Sequence, residues 1–470
     1  MNPLEISSDE FRRLADRVTQ LSADYLETLD QRPISPATSG EETQRLFHTK
    51  LPEQGVGADA LNGLVDVVRL SRAQNGRFFG YVLGSGEPVA AVADLLASVV
   101  NQNVTAWRSG PAAVAIEQAV VRWLSQAIGC PGFRGHLTGG GSSANLMGLA
   151  MARETHAAAN EKGIVAGGVV YASEEVHMSI PKSVALLGIG RENMRLIPTD
   201  SSFRMIPAEL DRQIARDKNA GKIPLAVVGS AGTVNTGAID PLGRIAEIAQ
   251  RQGMWFHVDG AYGALAAIAA PEKFEGLDLA DSVSLDPHKW LYQPLDCGCL
   301  LYRSPEAAQK AFAYSGDYAR SLNSDPIEGF AFFEESVELS RRFRALKLWL
   351  SLRFHGVNAF RESIRKDLEQ ARRLASAIEK EPQLELVAFG ELSAVCFRHR
   401  GVGQQQEEEL NPFNASLLAR ITKRGKIYLS NASLRGKFCL RACIVNHRTT
   451  EADIDSVVPE VLAAAAEIDR

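Results

Sequence analysis

Trp255-Phe-His-Val-Asp259-Gly-Ala-Tyr262 and, a little further on, Ser282-Val-Ser-Leu-Asp-Pro-His288-Lys289-Trp290 decide how this chain reads. Each begins with a short apolar run and ends in polar groups where the run stops. Runs of this kind, bounded by turn formers, read as buried strands. Gly168-Val-Val-Tyr-Ala172, Leu225-Ala-Val-Val-Gly229 and Gly298-Cys-Leu-Leu-Tyr302 repeat the pattern, and amphipathic stretches 207–218 and 241–252 lie between some of them. Buried strands alternating with amphipathic helices predict an α/β domain with a mostly parallel central sheet. Ligands of such sheets bind beyond the carboxyl ends of the strands. Asp259 and Lys289 both fall there.

The two residues suit one chemistry together. A lysine amine forms a Schiff base with an aldehyde, and a carboxylate holds a ring nitrogen protonated. Pyridoxal 5′-phosphate needs both. A lysine alone is mostly a surface residue, and an aspartate after a strand is often a turn residue. Gly139-Gly140-Gly141-Ser142-Ser143 adds a third feature, because a helical stretch, 144–153, follows it directly. Glycines let the backbone approach an anion, and the helix start offers free N–H groups and a partial positive charge. No Gly-Lys-Ser/Thr follows, so this is not a P-loop. A flexible turn before an ordinary helix has the same letters. His177 lies where a strand leads into a helix; an imidazole there stacks on a planar ring or is merely structural. Thr233 follows another strand and either donates to a ring hydroxyl or caps a turn.

The chain has 470 residues, more than one ordinary core holds, so two or three domains are expected. The reading is a helical segment over 1–85, a large cofactor-binding α/β domain over 86–352 and a small α+β domain over 353–470. Phe11, Leu14, Val18, Leu21, Tyr25 and Leu29 share one helical face without a core of its own, so that helix packs on the rest of the chain or on a second subunit. Net charge is −5 with no long basic run, which argues against nucleic acid as a partner. No apolar run is long enough to span a bilayer. Six scattered cysteines without zinc-type spacing predict reduced core thiols, no metal site and a cytoplasmic protein. The first ten residues lack an apolar signal core.

Pro287-His-Lys-Trp290, His257-Val-Asp-Gly-Ala-Tyr262 and Arg341-Arg-Phe-Arg-Ala-Leu-Lys-Leu-Trp349 carry a resemblance from about residue 10 to the end. The chain resembles the group II pyridoxal-phosphate-dependent amino-acid decarboxylases of the aspartate-aminotransferase-like fold (fold type I), the family of aromatic L-amino-acid, glutamate and 2,4-diaminobutyrate decarboxylases. The resemblance implies pyridoxal 5′-phosphate as cofactor and an L-amino acid as substrate. It also implies a homodimer with interfacial active sites, the loop 315–336 arriving from the second subunit. Lys289 becomes the Schiff-base lysine, Asp259 the partner of the ring nitrogen and His177 the group stacked on the ring. Gly140, Gly141, Ser142 and His288 lie at the phosphate, and Thr233 and Ala261 line the ring. Asp286 stands where the family has Asn or Asp, and is a weak phosphate contact. Loss of CO₂ leaves a carbanion that the ring absorbs only while its nitrogen is protonated, so Asp259 governs turnover.

Two departures follow from the same comparison. The aromatic decarboxylases carry a tyrosine, in a mobile loop over the site, nine residues before the first Arg of Arg-Arg-Phe-Arg. Here that count reaches Phe332, and the nearest upstream tyrosine is Tyr318. Phenylalanine has no proton to give, and in plant relatives it marks aldehyde synthases. The substrate pocket, by resemblance, takes in Asn103, Thr105 and Arg108 from the 101–113 segment, with Tyr81 able to stack on an aromatic side chain. Asn103, Thr105 and Arg108 are more polar than the aromatic decarboxylases carry, and Asn101-Gln-x-x-x-x-Trp107 with Pro111-Ala-Ala and Glu117-Gln118 resembles the diaminobutyrate enzymes. Aromatic substrates are slightly favoured, on family frequency.

Overall fold

All five apolar runs become strands of one sheet. The computed structural model describes residues 2, 4–163, 166–314, 325–401 and 407–468. Seven strands, β1 (Arg134–Thr138), β2 (Gly168–Ser173), β3 (Met194–Ile197), β4 (Ile223–Ser230), β5 (Trp255–Asp259), β6 (Ser282–Leu285) and β7 (Gly298–Tyr302), lie in the order β1-β7-β6-β5-β4-β2-β3. The pairs from β6 to β3 are parallel, and β7 runs antiparallel to both neighbours. This is the expected α/β class and fold type. β1 and β3, which the letters do not announce, form the two edges, where charged residues such as Arg134 and Arg195 are tolerated.

The expected helices form at Pro88–Val100, Pro111–Ala127, Pro207–Asn219 and Leu242–Gln252. Proline opens the first three, at the position where its fixed φ helps and its missing N–H costs nothing. A second sheet, antiparallel, contains β8 (Leu384–Phe389), β9 (Ala394–His399), β10 (Ser430–Leu434) and β11 (Lys437–Cys443), in the order β10-β11-β9-β8. The Ala345–Lys380 helix joins the two sheets, and Gly356 breaks it with φ 74° and ψ 153°. Side-chain-bearing residues avoid that conformation. Before the break Leu346 and Leu348 pack in the large core; near the far end Leu374 and Ile378 pack in the small one.

Within the N-terminal helical segment, exposed and anchored parts differ. The Ser8–Glu27 helix buries no residue, and Phe11 and Val18 are exposed. Ile34, however, packs with Phe78 and Tyr428, and Phe79 enters the small-domain core. Phe79 N–H donates to the Tyr428 carbonyl at 2.9 Å, and Cys443 N–H donates to the Phe79 carbonyl at 2.9 Å. Residues around 34 and 78 thus belong to the small domain of their own chain. Among the described residues no helix is long and apolar enough to cross a membrane.

Candidate active site

A cleft of about 310 Å³ opens at the carboxyl ends of β5 and β6. Gly140, Gly141, Ser142, His177, Asp259, Ala261, Asp286, His288 and Lys289 all line it. The sheet explains why: β5 ends on Asp259, and β6 hands the chain to Asp286 and the turn carrying Lys289. The glycine loop leaves β1 and starts the Gly141–Ala157 helix.

The loop is shaped for close approach. Gly140 has φ 144°, which disfavours any side chain. A Cβ on Gly141 would lie 2.6 Å from Ala261 Cβ, and one on Gly298 would lie 2.4 Å from Gly140 Cα. Thr138 steadies the turn: its Oγ1 accepts from Gly140 N–H at 3.2 Å and donates to the Gly140 carbonyl at 3.1 Å. The first N–H groups of the helix have no intrahelical acceptor, and Ser142 and Ser143 are exposed to the cleft.

Three donors converge on Asp259. Its Oδ2 accepts from Asn145 Nδ2 at 3.0 Å, and its Oδ1 from Ser284 Oγ at 3.1 Å and Ala261 N–H at 3.2 Å. The directions behind Asn145 can be worked out. Its amide NH₂ faces a carboxylate, so its Oδ1 accepts from His257 Nε2–H at 2.9 Å. His257 Nδ1 is then bare and accepts from Ser282 Oγ at 2.8 Å, while Ser282 Oγ accepts from Trp255 Nε1–H at 2.9 Å. Burial pushes His257 down to about 4, which keeps the ring neutral, as this relay requires.

The same Asn145 amide donates to Ser179 Oγ at 2.9 Å, and Ser179 Oγ–H donates to His177 Nδ1 at 2.8 Å. His177 therefore carries its proton on Nε2. Its pKa is lowered by burial, which outweighs the Asp259 charge. Lys289 Nζ sits 2.9 Å from Asp286 Oδ2. His288 donates Nδ1–H to the Cys297 carbonyl at 2.6 Å. Asn145, Ser284 and Ser179 carry no role in the sequence expectations, and His257 enters them only as part of the His-Val-Asp motif. Their only signal is polar residues at buried strand and helix positions.

Five expected residues lie elsewhere. Thr233 is buried with its hydroxyl 2.9 Å from Thr236 Oγ1, and its neighbours Gly232 and Val234 line the cleft instead. Tyr81 pairs its hydroxyl with Tyr428 at 2.9 Å. Asn103, Thr105 and Arg108 do not line the cleft of their own chain; Asn103 Oδ1 accepts from Arg341 N–H at 2.9 Å. Phe332 requires a correction. It is not in a covering loop: it is 0% exposed, with Phe330 against its edge and the Arg341 guanidinium 4.4 Å from its centroid. With Phe330 and Glu335 it lines a separate cavity of about 420 Å³. Residues 315–324 of the expected loop, with Tyr318, fall outside the described residues.

A glycine cradle, an oriented carboxylate and a lysine at one cleft can grip a phosphate, a ring nitrogen and an aldehyde at once. The model of the pyridoxal-dependent decarboxylase conserved domain matches residues 45–400. The chain belongs to the pyridoxal-dependent decarboxylase family. It is 33% identical to an aromatic-L-amino-acid decarboxylase of Bacillus atrophaeus, over 99% of this chain and 97% of that protein. It is 31% identical to a phenylacetaldehyde synthase of Petunia hybrida, over 96% and 93% of the two. The crystal structure of Oryza sativa TDC with PLP and tryptamine superposes with a TM-score of 0.93 at 28% identity, covering 100% of this chain and 99% of that one. This decarboxylase is thus a pyridoxal-phosphate enzyme acting on an amino acid. Its glycine cradle, where added side chains would collide with Ala261 and Asp286, suits the close approach of the cofactor's phosphate end.

Proposed function

We propose that this cleft decarboxylates an aromatic L-amino acid to its amine. When bound, the cofactor supplies a sink for the electron pair left by departing CO₂. Lys289 holds it covalently, and Gly140, Gly141, Ser142 and His288 surround its phosphate. Asp259, fixed by its three donors, receives the ring N–H. His177 covers the ring and offers Nε2–H to the substrate carboxylate. Ala261 lines the ring, and Gly232 and Val234 take the place expected of Thr233.

One observation supports the aromatic class. Among the described residues no arginine, and no lysine but Lys289, lines the cleft, and its two carboxylates, Asp259 and Asp286, face the cofactor groups. Among these residues of one chain neither an acidic nor a dibasic side chain finds a partner, whereas Val234 and Leu295 offer apolar wall. The aldehyde-forming alternative, argued from Phe332 nine residues before Arg341, is the other outcome of the same test.

The holoenzyme should be incubated in air with aromatic, acidic and dibasic L-amino acids, while CO₂, amine, aldehyde and hydrogen peroxide are quantified. CO₂ matched by amine, from aromatic substrates, is the expected result. Aldehyde with peroxide, or turnover of glutamate that Arg108→Ala abolishes, would overturn it.

The same reading includes a homodimer with interfacial sites. Val92, Leu95, Leu96, Val99 and Val100 form an exposed apolar stripe on the Pro88–Val100 helix, which supports it. So does the 103–108 segment, which does not line the cleft of its own chain. A cytoplasmic location belongs to it too, supported by six buried, unpaired cysteines.

A further inference from the structure

Asp286 is an unexpected neighbour for a phosphate. It is 4% exposed, Oδ2 pairs with Lys289 Nζ at 2.9 Å, and Oδ1 is buried without a donor. His288 offers little relief, because its Nδ1–H goes to the Cys297 carbonyl and its Nε2 lies 3.6 Å from Oδ2. The carboxylate also faces the glycine loop. A Cβ on Gly141 would lie 3.0 Å from Oδ2, and one on Gly140 would lie 3.9 Å from Oδ1. An anion therefore forms one wall of the cradle that the phosphate enters. Two anions this close in a buried site repel strongly. A proton on the carboxylate would convert the repulsion into a hydrogen bond, and the nearest proton is on Nζ.

We propose that Asp286 and Lys289 form a proton-exchange pair that gates cofactor capture and selects for the phosphorylated aldehyde. As a phosphate monoester enters the Gly139–Ser143 cradle, one proton moves from Nζ to the Asp286 carboxylate. The neutral carboxylic acid donates its O–H to a phosphate oxygen. The neutral amine uses its freed lone pair to bond the aldehyde carbon, and the aldehyde oxygen leaves as water. No oxidant or reductant takes part. An aldehyde without a phosphate leaves the ion pair closed and meets a protonated, unreactive lysine. The idea rests on the reading that the phosphate occupies this cradle and that Lys289 is the attachment point.

The test uses full-length apoenzyme and measures the maximal rate of covalent attachment, by borohydride fixation and mass spectrometry. The ligands are pyridoxal 5′-phosphate, pyridoxal, and pyridoxal with inorganic phosphate. The proteins are wild type, Asp286→Asn and Asp286→Ala, the second guarding against misfolding of the first. In wild type, inorganic phosphate should accelerate pyridoxal attachment. In both variants pyridoxal alone should attach about tenfold faster than in wild type, the phosphate effect should vanish, and the pH midpoint of attachment should move down. A packing role would move none of these. Equal pyridoxal rates in all three proteins, with an unchanged pH midpoint, would overturn the proposal. The underlying reading fails separately, if Lys289→Ala still yields a borohydride-fixed cofactor at another lysine.

Discussion

Asn145 holds Asp259: its amide nitrogen stands 3.0 Å from Oδ2, on a helix whose neighbours in sequence form the glycine cradle. One side chain thus ties the group for the ring nitrogen to the loop for the phosphate. Through Ser179 it also sets the tautomer of His177. Replacing Asn145 by Ala should lower kcat/KM by about 10–100-fold, the worth of a hydrogen bond to a charged group. Steady-state kinetics on cofactor-saturated protein checks this, with cofactor occupancy read from absorbance.

Phe332→Tyr should leave the product unchanged. Its hydroxyl would be added to a buried ring that packs against Phe330 and Arg341. A buried hydroxyl without a partner costs about 1–3 kcal/mol, so thermal unfolding should shift downward while the ratio of amine to aldehyde stays constant. A changed ratio would show that this ring reaches the chemistry.

Arg341 is the most connected buried charge near the cleft. It pairs with Glu117, donates to the Leu137 carbonyl at 2.8 Å and to the Val104 carbonyl at 2.9 Å, and is about as buried as Glu117. Arg341→Met strands the Glu117 charge and should cost about 3–5 kcal/mol. Denaturant titration should show Arg341→Met with Glu117→Gln regaining part of that loss. Leu137 leads through Thr138 into the glycine loop, so the single variant should also release cofactor faster on dialysis.

The contribution of Asp367 to stability should fall as pH rises toward neutrality. Burial raises Asp367 to about 7, against hydrogen bonds from Tyr292 hydroxyl and Asn446 N–H that favour the charged form. Between the ordinary carboxylate range near ~4 and about 7, the fold keeps a proton that the unfolded chain releases. Its stabilisation is therefore complete at low pH and lost as pH climbs through that window. Asp367→Asn should flatten Tm between pH 5 and 8, leaving the smaller slope from Asp240, which burial raises to about 6.

The strands that carry the site were legible because a buried parallel strand leaves a run of apolar letters and its end leaves a polar one. Asp259 and Lys289 stood out for that reason. Asn145 did not, because its partner Asp259 is 114 positions away and nothing local marks an amide buried in a helix. Thr233 follows β4 as expected, and its hydroxyl takes the turn-capping alternative, meeting Thr236 Oγ1 and accepting from Ala238 N–H. Counting back from Arg341 reached Phe332, but a count along the chain carries no information on depth. The edges β1 and β3 have too few apolar residues to register as strands. The helix face of 11–29 was visible, but the attachment of residues 34 and 78 to the small domain is a long-range contact with Tyr428 that no periodicity encodes.

The order of the sheet bears on how the protein is made. β1, which carries the glycine loop, pairs only with β7, and Arg341 supplies a further tie to Leu137. While the ribosome is still translating the region before residue 298, that loop has no neighbouring strand to hold it. Lys289 emerges before the strand that completes the cradle, so the growing chain displays a lysine but no finished seat for the phosphate. The cofactor can lodge only after β7 has emerged, which gives it no part in guiding the earliest folding steps.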